Sequence, residues 1–105
     1  MSKYHAVPVE VDGIRFASKA EARRYRELRL LERGGAIADL ILQPRYPVRV
    51  NGVRICTYLA DFTYRDCETG LYVTEDVKGV RTPVYKLKRK LVEALYGLAI
   101  TEVET

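Results

Sequence analysis

Two segments of this chain carry helix start and stop signals at both ends, and the long stretch between them carries none. Ser18 stands three residues before Glu21, the spacing of a capping box, and Tyr25, Leu28 and Leu31 recur at helical intervals until Gly34-Gly35. This predicts a helix over residues 19–33. Thr82 supplies a capping hydroxyl ahead of Pro83 at the first helical position, and "VYKLKRKLVEALYG" runs to a glycine stop at Gly97. Everything that is not one of these helices must be strand or turn.

The strands are read from alternation and turn residues. "VEVDGIRFAS" alternates around Asp12-Gly13, a dipeptide that supplies the positive φ angles of a two-residue hairpin turn. From Leu40 to Val50 the chain is extended, and Pro44 and Pro47 make it an edge or an irregular strand before Asn51-Gly52 turns it back. The next strand, "VRICTYLADFTYRD", closes through Cys67-Glu68-Thr69-Gly70 into "LYVTEDVKG", which puts Asp61 and Asp76 on neighbouring strands of a hairpin. "LAITEV" is a last short strand. The order is therefore hairpin, helix, three strands, helix, strand: an α+β fold with a mixed, mostly four-stranded sheet flanked by two helices.

A chain of 105 residues, 48% of them hydrophobic, suffices for one core and is too short for two, so a single domain over residues 1–105 is expected. The 18 Lys and Arg outnumber the 14 Asp and Glu to give a net charge of +4, which suits a polyanionic partner. No stretch approaches the ~18 uninterrupted apolar residues of a membrane span, and "MSKYHAVPVE" lacks the apolar core of a signal peptide. A cytoplasmic protein with no membrane partner is expected. Cys56, Cys67 and the lone His5 cannot assemble four zinc ligands or a disulfide framework. Both cysteines are read as reduced core fillers, and the eight tyrosines as packing residues.

The stretch "TEDVKG" ends an otherwise apolar and β-branched strand with two carboxylates and a lysine. Side chains alternate along a strand, so Asp76 and Lys78 share one face while Glu75 and Val77 share the other. An acid two residues before a lysine arises about once by chance in such a composition, and alone it is no more than a solvated ion pair. Its context makes it more interesting. Asp61 sits in "YLADF", among apolar neighbours where a carboxylate needs a partner. Glu21 falls on the helix stripe with Tyr25 and Leu28 that faces the sheet, although its capping role is by itself a sufficient reason for a glutamate there. If Glu21, Asp61 and Asp76 converge, their mutual repulsion is relieved by a hard divalent cation, Mg²⁺ or Mn²⁺.

The order of an acid on the first helix, Asp in a strand, then acid-x-Lys in the partner strand resembles the PD-(D/E)XK nuclease superfamily, here as Glu21, Asp61 and Asp76-Val77-Lys78. More closely, "SKYHA", "VDGIRFASKAEARRY", "LQPRY", "YLADFTY", "EDVKG" and "YKLKRKLVEALYG" together resemble a family of small phage- and prophage-encoded proteins described as endonucleases or Holliday-junction resolvases. The sequence departs from the superfamily pattern in two places. Ala60 precedes Asp61 where a proline is usual, and Asp76 takes a position often held by Glu, with Glu75 adjacent. Asp76 is favoured because only it shares a face with Lys78.

The resemblance implies a restriction-endonuclease-like core and a metal-dependent DNA endonuclease selective for branched DNA, active in phage DNA processing. It implies Asp61, Asp76 and the Val77 carbonyl as metal ligands, Glu21 holding a second metal or a water, and Lys78 orienting the attacking water and offsetting negative charge. Phosphodiester hydrolysis needs that activation and neutralisation. DNA contacts are expected from Arg81, Lys86, Lys88, Arg89 and Lys90, a run from Lys78 to Lys90 that lacks any acid, and from Arg24 among the arginines of the first helix. For Lys86 and Lys90 a plain solvated face is an equal reading. Lys88 falls among Val84, Leu91 and Leu95 on the apolar stripe and is expected to reach toward the catalytic edge. Cutting both strands of a branched substrate calls for a homodimer. The alternative is a nucleic-acid-binding or phage assembly protein that keeps the fold without catalysis.

Overall fold

The computed structural model of the chain describes residues 7–77 and 81–104. Strands β1 (Val9–Val11) and β2 (Ile14–Phe16) form the N-terminal hairpin, with Val9 opposite Phe16. Asp12 and Gly13 both take positive φ, 54° and 74°, as the two-residue turn requires. Helix α1 (Lys19–Arg33) starts where Ser18, in extended backbone, accepts a hydrogen bond from the Glu21 N–H at 3.1 Å. At its other end the N–H groups of Gly34 and Gly35 donate to the carbonyls of Leu30 and Glu32. Helix α2 (Pro83–Tyr96) begins with the Thr82 hydroxyl accepting from the Tyr85 N–H and stops at Gly97 in the left-handed region, φ 66°. Both helices keep the bounds expected from their caps.

Between the helices the chain makes five strands where three were expected: β3 (Ile37–Leu42), β4 (Arg45–Val50), β5 (Val53–Leu59), β6 (Phe62–Asp66) and β7 (Tyr72–Val77). With β8 (Ile100–Val103), the main sheet has the order β3-β6-β7-β8, antiparallel except for the parallel β7-β8 pair. It is the mixed four-stranded sheet that was anticipated. β4 and β5 form a separate antiparallel ribbon.

The division of the expected long strand has a definite place. Ala60 N–H donates to the Pro44 carbonyl at 3.2 Å and Gln43 N–H to the Asp61 carbonyl at 2.9 Å, so the two chains leave the main sheet together with their polar groups paired. Gln43, at φ 50°, makes the bend on the other side. Alternation runs through the break unchanged, since Tyr58, Ala60, Phe62 and Tyr64 are all buried. They nevertheless serve two cores. Phe62 and Tyr64 pack with Phe16, Ala22, Tyr25, Leu28 and Ile37 beneath α1, whereas Tyr58 and Ala60 pack with Val48, Val92 and Ile100 beneath α2.

Other expectations need correction. The buried face of α2 centres on Val92, with Tyr85 and Leu91 beside it, and Val84, Leu87 and Leu95 are each more than half exposed. The helix rests on the β4-β5 ribbon and Ile100, a surface that covers only one side of it. Cys67 is exposed in the β6-β7 turn, Cys56 is half-buried, and both are free. Tyr72 is exposed and so is not a packing residue, while Tyr4 and His5 lie outside the described residues. Among the described residues no helix is long and apolar enough to cross a membrane.

Leu28 is fully buried between α1 and the sheet. Leu28→Ala is expected to lower unfolding stability by about 3 kcal/mol in urea titration with an unchanged denaturant slope. A loss below about 1 kcal/mol would mean that α1 is not seated as described.

Candidate functional site

Glu75 and Asp76 are adjacent in sequence, almost completely buried, and on opposite faces of β7. On the α1 side, Arg24 grips Glu75 with two parallel hydrogen bonds, Nε to Oε1 at 2.8 Å and Nη2 to Oε2 at 2.7 Å. The Tyr64 hydroxyl donates to the same Oε2. The hydrogen bond to Glu75 raises the pKa of Arg24. Burial, then the bond to Glu75, raises that of Tyr64, which therefore remains a donor. Arg24 was expected to face DNA. Instead its guanidinium turns inward to compensate a buried carboxylate, and Glu75 is taken up by that structural clamp.

Asp76 takes the other face, and both its carboxylate oxygens are buried. The β6-β7 ladder ends with Phe62 opposite Glu75, and Asp61 follows immediately outside it. Asp61 stands where β5 and β6 part. Its Oδ2 accepts a hydrogen bond from the Val77 N–H at 2.7 Å, and its own N–H donates to the Glu75 carbonyl at 3.0 Å. These two bonds fix the Asp61 carboxylate against the C-terminal end of β7.

The last turn of α1 borders the β6-β7 turn, where Leu31, Gly35 and Ile37 line a hollow with Tyr64, Asp66 and Cys67. Arg24 meets β7 at Glu75. Glu21, three residues before Arg24 in the first turn of α1, is half-buried. Lys78 lies outside the described residues. Among the described residues no three His, Cys, Asp or Glu side chains stand together as a metal-holding group.

One acid escaped sequence reading. Glu102 on β8 is the register partner of Asp76. It accepts hydrogen bonds from the Tyr85 hydroxyl at 2.7 Å and Arg81 Nε at 2.9 Å, and pairs with Arg89 Nη1 at 3.1 Å. The Tyr85 bond, followed by that from Arg81, holds the Glu102 carboxyl below its ordinary value. Burial is the largest cause of the raised Tyr85 hydroxyl, with Glu102 and the nearby charge of Asp76 adding to it. The only sequence signal was an acid in a short strand after α2, which by itself names no neighbour.

The basic residues of α2 therefore divide. Arg81 also pairs with Glu104 at 2.8 Å, and Arg89 reaches Glu93 and the Ile100 carbonyl, so both tie α2 and its approach to β8. Lys86 and Lys90 are exposed. Lys88 is half-buried and lines a shallow groove with Thr57, Leu59, Val84 and Tyr85, on the β5 side of the helix.

Residues 1–102 match the model of a family described as "Protein of unknown function (DUF1064)", and the chain belongs to that family. No curated protein matches it.

Two outcomes test the clamps. Arg24→Met leaves the Glu75 charge buried without its partner and is expected to cost about 3 kcal/mol of stability, while Arg24→Met with Glu75→Gln recovers at least half of that in the same denaturation series. Because the folded Glu102 carboxyl is depressed, its ion pairs stabilise the protein above the ordinary carboxylate range and cease to do so as pH falls through the folded value. The stability advantage of wild type over Glu102→Gln, read from thermal midpoints, is thus expected to be largest near neutrality and to shrink steadily as pH falls below the ordinary carboxylate range. An advantage that grows on acidification would contradict the assignment.

Proposed function

We propose that this DUF1064 protein is a divalent-metal-dependent deoxyribonuclease of the PD-(D/E)XK type, with a restriction-endonuclease-like core. It hydrolyses phosphodiester bonds in branched DNA, a Holliday junction being the archetype, and acts in the cytosol as a homodimer because two strands must be cut. The observation that carries this reading is the anchoring of the Asp61 carboxylate on the N–H of Val77, the residue that follows buried Asp76 at the end of β7. A buried carboxylate at Asp76 and a half-buried one at Asp61, brought to the same strand end, are stabilised by positive charge.

The donors fit a hard cation, because all are oxygens: the carboxylates of Asp61 and Asp76 and the main-chain carbonyl of Val77. Held there, Mg²⁺ or Mn²⁺ would polarise the phosphoryl oxygens and make a water acidic enough to attack phosphorus. The protein's own part is orientation. Asp61 is fixed by its two bonds to β7, and the Arg24-Glu75-Tyr64 clamp holds β7 so that Asp76 faces away from α1. Lys78, two residues beyond Asp76, offsets the negative charge of the transition state and orients the attacking water. Glu21 would help to hold a second cation or a water from the first turn of α1.

A second reading draws on the lack of a three-acid group among the described residues: a nucleic-acid-binding or phage assembly protein with this fold and no catalysis. Cleavage separates the two. Labelled linear duplex, flap and four-way-junction DNA are incubated with Mg²⁺ or Mn²⁺, and wild type is compared with Asp61→Asn and Asp76→Asn. Metal-dependent cutting that each substitution reduces by at least about a hundredfold, with DNA binding in chelator retained, is the expected result. Binding without cutting in either metal would give the second reading its place.

A further inference from the structure

The β4-β5 ribbon has an unusual charge pattern. Between Asp39 and Asp61 the sequence contains Arg45, Arg49 and Arg54 and no acid. Arg49 and Arg54 are direct cross-strand partners, an arrangement in which like charges repel and weaken the ribbon. The repulsion is built in by a bulge. Val48 pairs with Cys56 but Arg49 pairs with Arg54, so Ile55 is an extra residue that brings Arg54 opposite Arg49. Alternation along β4 puts Arg45 and Arg49 on one face, away from Tyr46 and buried Val48, which pack toward α2.

Among the described residues no ion pair neutralises these charges, whereas Arg24, Arg81 and Arg89 all take part in salt bridges. Every residue from Arg49 to Ile55 is exposed. At its base the ribbon runs directly into Ala60 and Asp61, where it is tied to the main sheet by the Ala60-Pro44 and Gln43-Asp61 hydrogen bonds. From Arg45 to Arg49 the chain advances about 13 Å, near the width of the DNA major groove, which admits a two-stranded ribbon.

We propose that the β4-β5 ribbon is the principal DNA-binding arm of the protein, with Arg45, Arg49 and Arg54 contacting backbone phosphates of a duplex and directing it toward Asp61. The inference rests on the nucleic-acid part of the reading above and not on catalysis. It moves the main electrostatic footprint from α2 and its approach, where Arg89 and Arg81 hold Glu102, to a segment whose arginines have no ion-pair partner among the described residues. An anionic membrane is the less favoured occupant, because the apolar tip residues Val50 and Val53 are few and the arginines extend to the ribbon's base.

The test is fluorescence anisotropy of the full chain with labelled duplex and four-way-junction DNA in chelator, titrated over a salt series. Each phosphate contact contributes about 0.9 to the slope of log affinity against log salt. Arg45→Ala/Arg49→Ala/Arg54→Ala is expected to weaken binding by roughly tenfold or more and to make the slope shallower by about 2 to 3. The triple Arg→Lys protein is expected to keep the slope, and Arg54→Ala alone to lower it by about 1. A triple Arg→Ala protein whose slope and affinity match wild type overturns the proposal. So does a triple protein that keeps DNA binding but loses binding to phosphatidylserine vesicles, which would assign the ribbon to a membrane surface. If Asp76→Asn still cuts DNA, the nuclease assignment fails while the slope decides the arm independently.

Discussion

The arrangement of this protein depends on one buried carboxylate. Glu75 accepts three hydrogen bonds, two from Arg24 on α1 and one from Tyr64 on β6. A buried charge compensated so fully holds its strand in one register, since a slip of one residue would strand Arg24 and expose Glu75 to the opposite face. The same alternation then leaves Asp76 no choice of side. It is placed away from α1, opposite Glu102 on β8, on the face over which Tyr85 lies. Two adjacent acids thus acquire different surroundings from strand geometry alone: the first is held by Arg24 and Tyr64, and the second faces β8 and Tyr85.

A second constraint is the parting of β5 from β6 at Ala60-Asp61. It gives the sheet an end at which a side chain, rather than a neighbouring strand, receives the Val77 N–H. It also releases a ribbon whose arginines form no ion pair among the described residues. The arginines of the protein consequently fall into two sets. Arg24, Arg81 and Arg89 are engaged by Glu75, Glu102 and Glu104, and act as struts. Arg45, Arg49 and Arg54 are not so engaged and raise the local potential beside the candidate site.

Local hydrogen bonding made the helices legible in the sequence. Ser18, Thr82, Gly34-Gly35 and Gly97 cap their helices through contacts within a few residues, so their signals survive without knowledge of the fold. The Asp12-Gly13 turn was readable for the same reason. The branching of the long strand was not, because Tyr58, Ala60, Phe62 and Tyr64 alternate without interruption while serving two cores on opposite faces. The destination of Arg24 and the exposure of Val84 and Leu95 depend on which surfaces meet across the fold, and periodicity along one helix carries no such information. The Arg49-Arg54 pairing required knowledge of a bulge at Ile55.

The central claim is that Asp61 and Asp76 form the seat of a divalent cation. Anomalous diffraction from crystals grown with Mn²⁺ tests it most directly. The account predicts a manganese peak with carboxylate oxygens of both residues about 2.1 Å away, lost in Asp76→Asn crystals that keep the Arg24-Glu75 clamp. A peak at another group of acids, or no peak at Asp61 and Asp76 when Mn²⁺ is abundant, would contradict it.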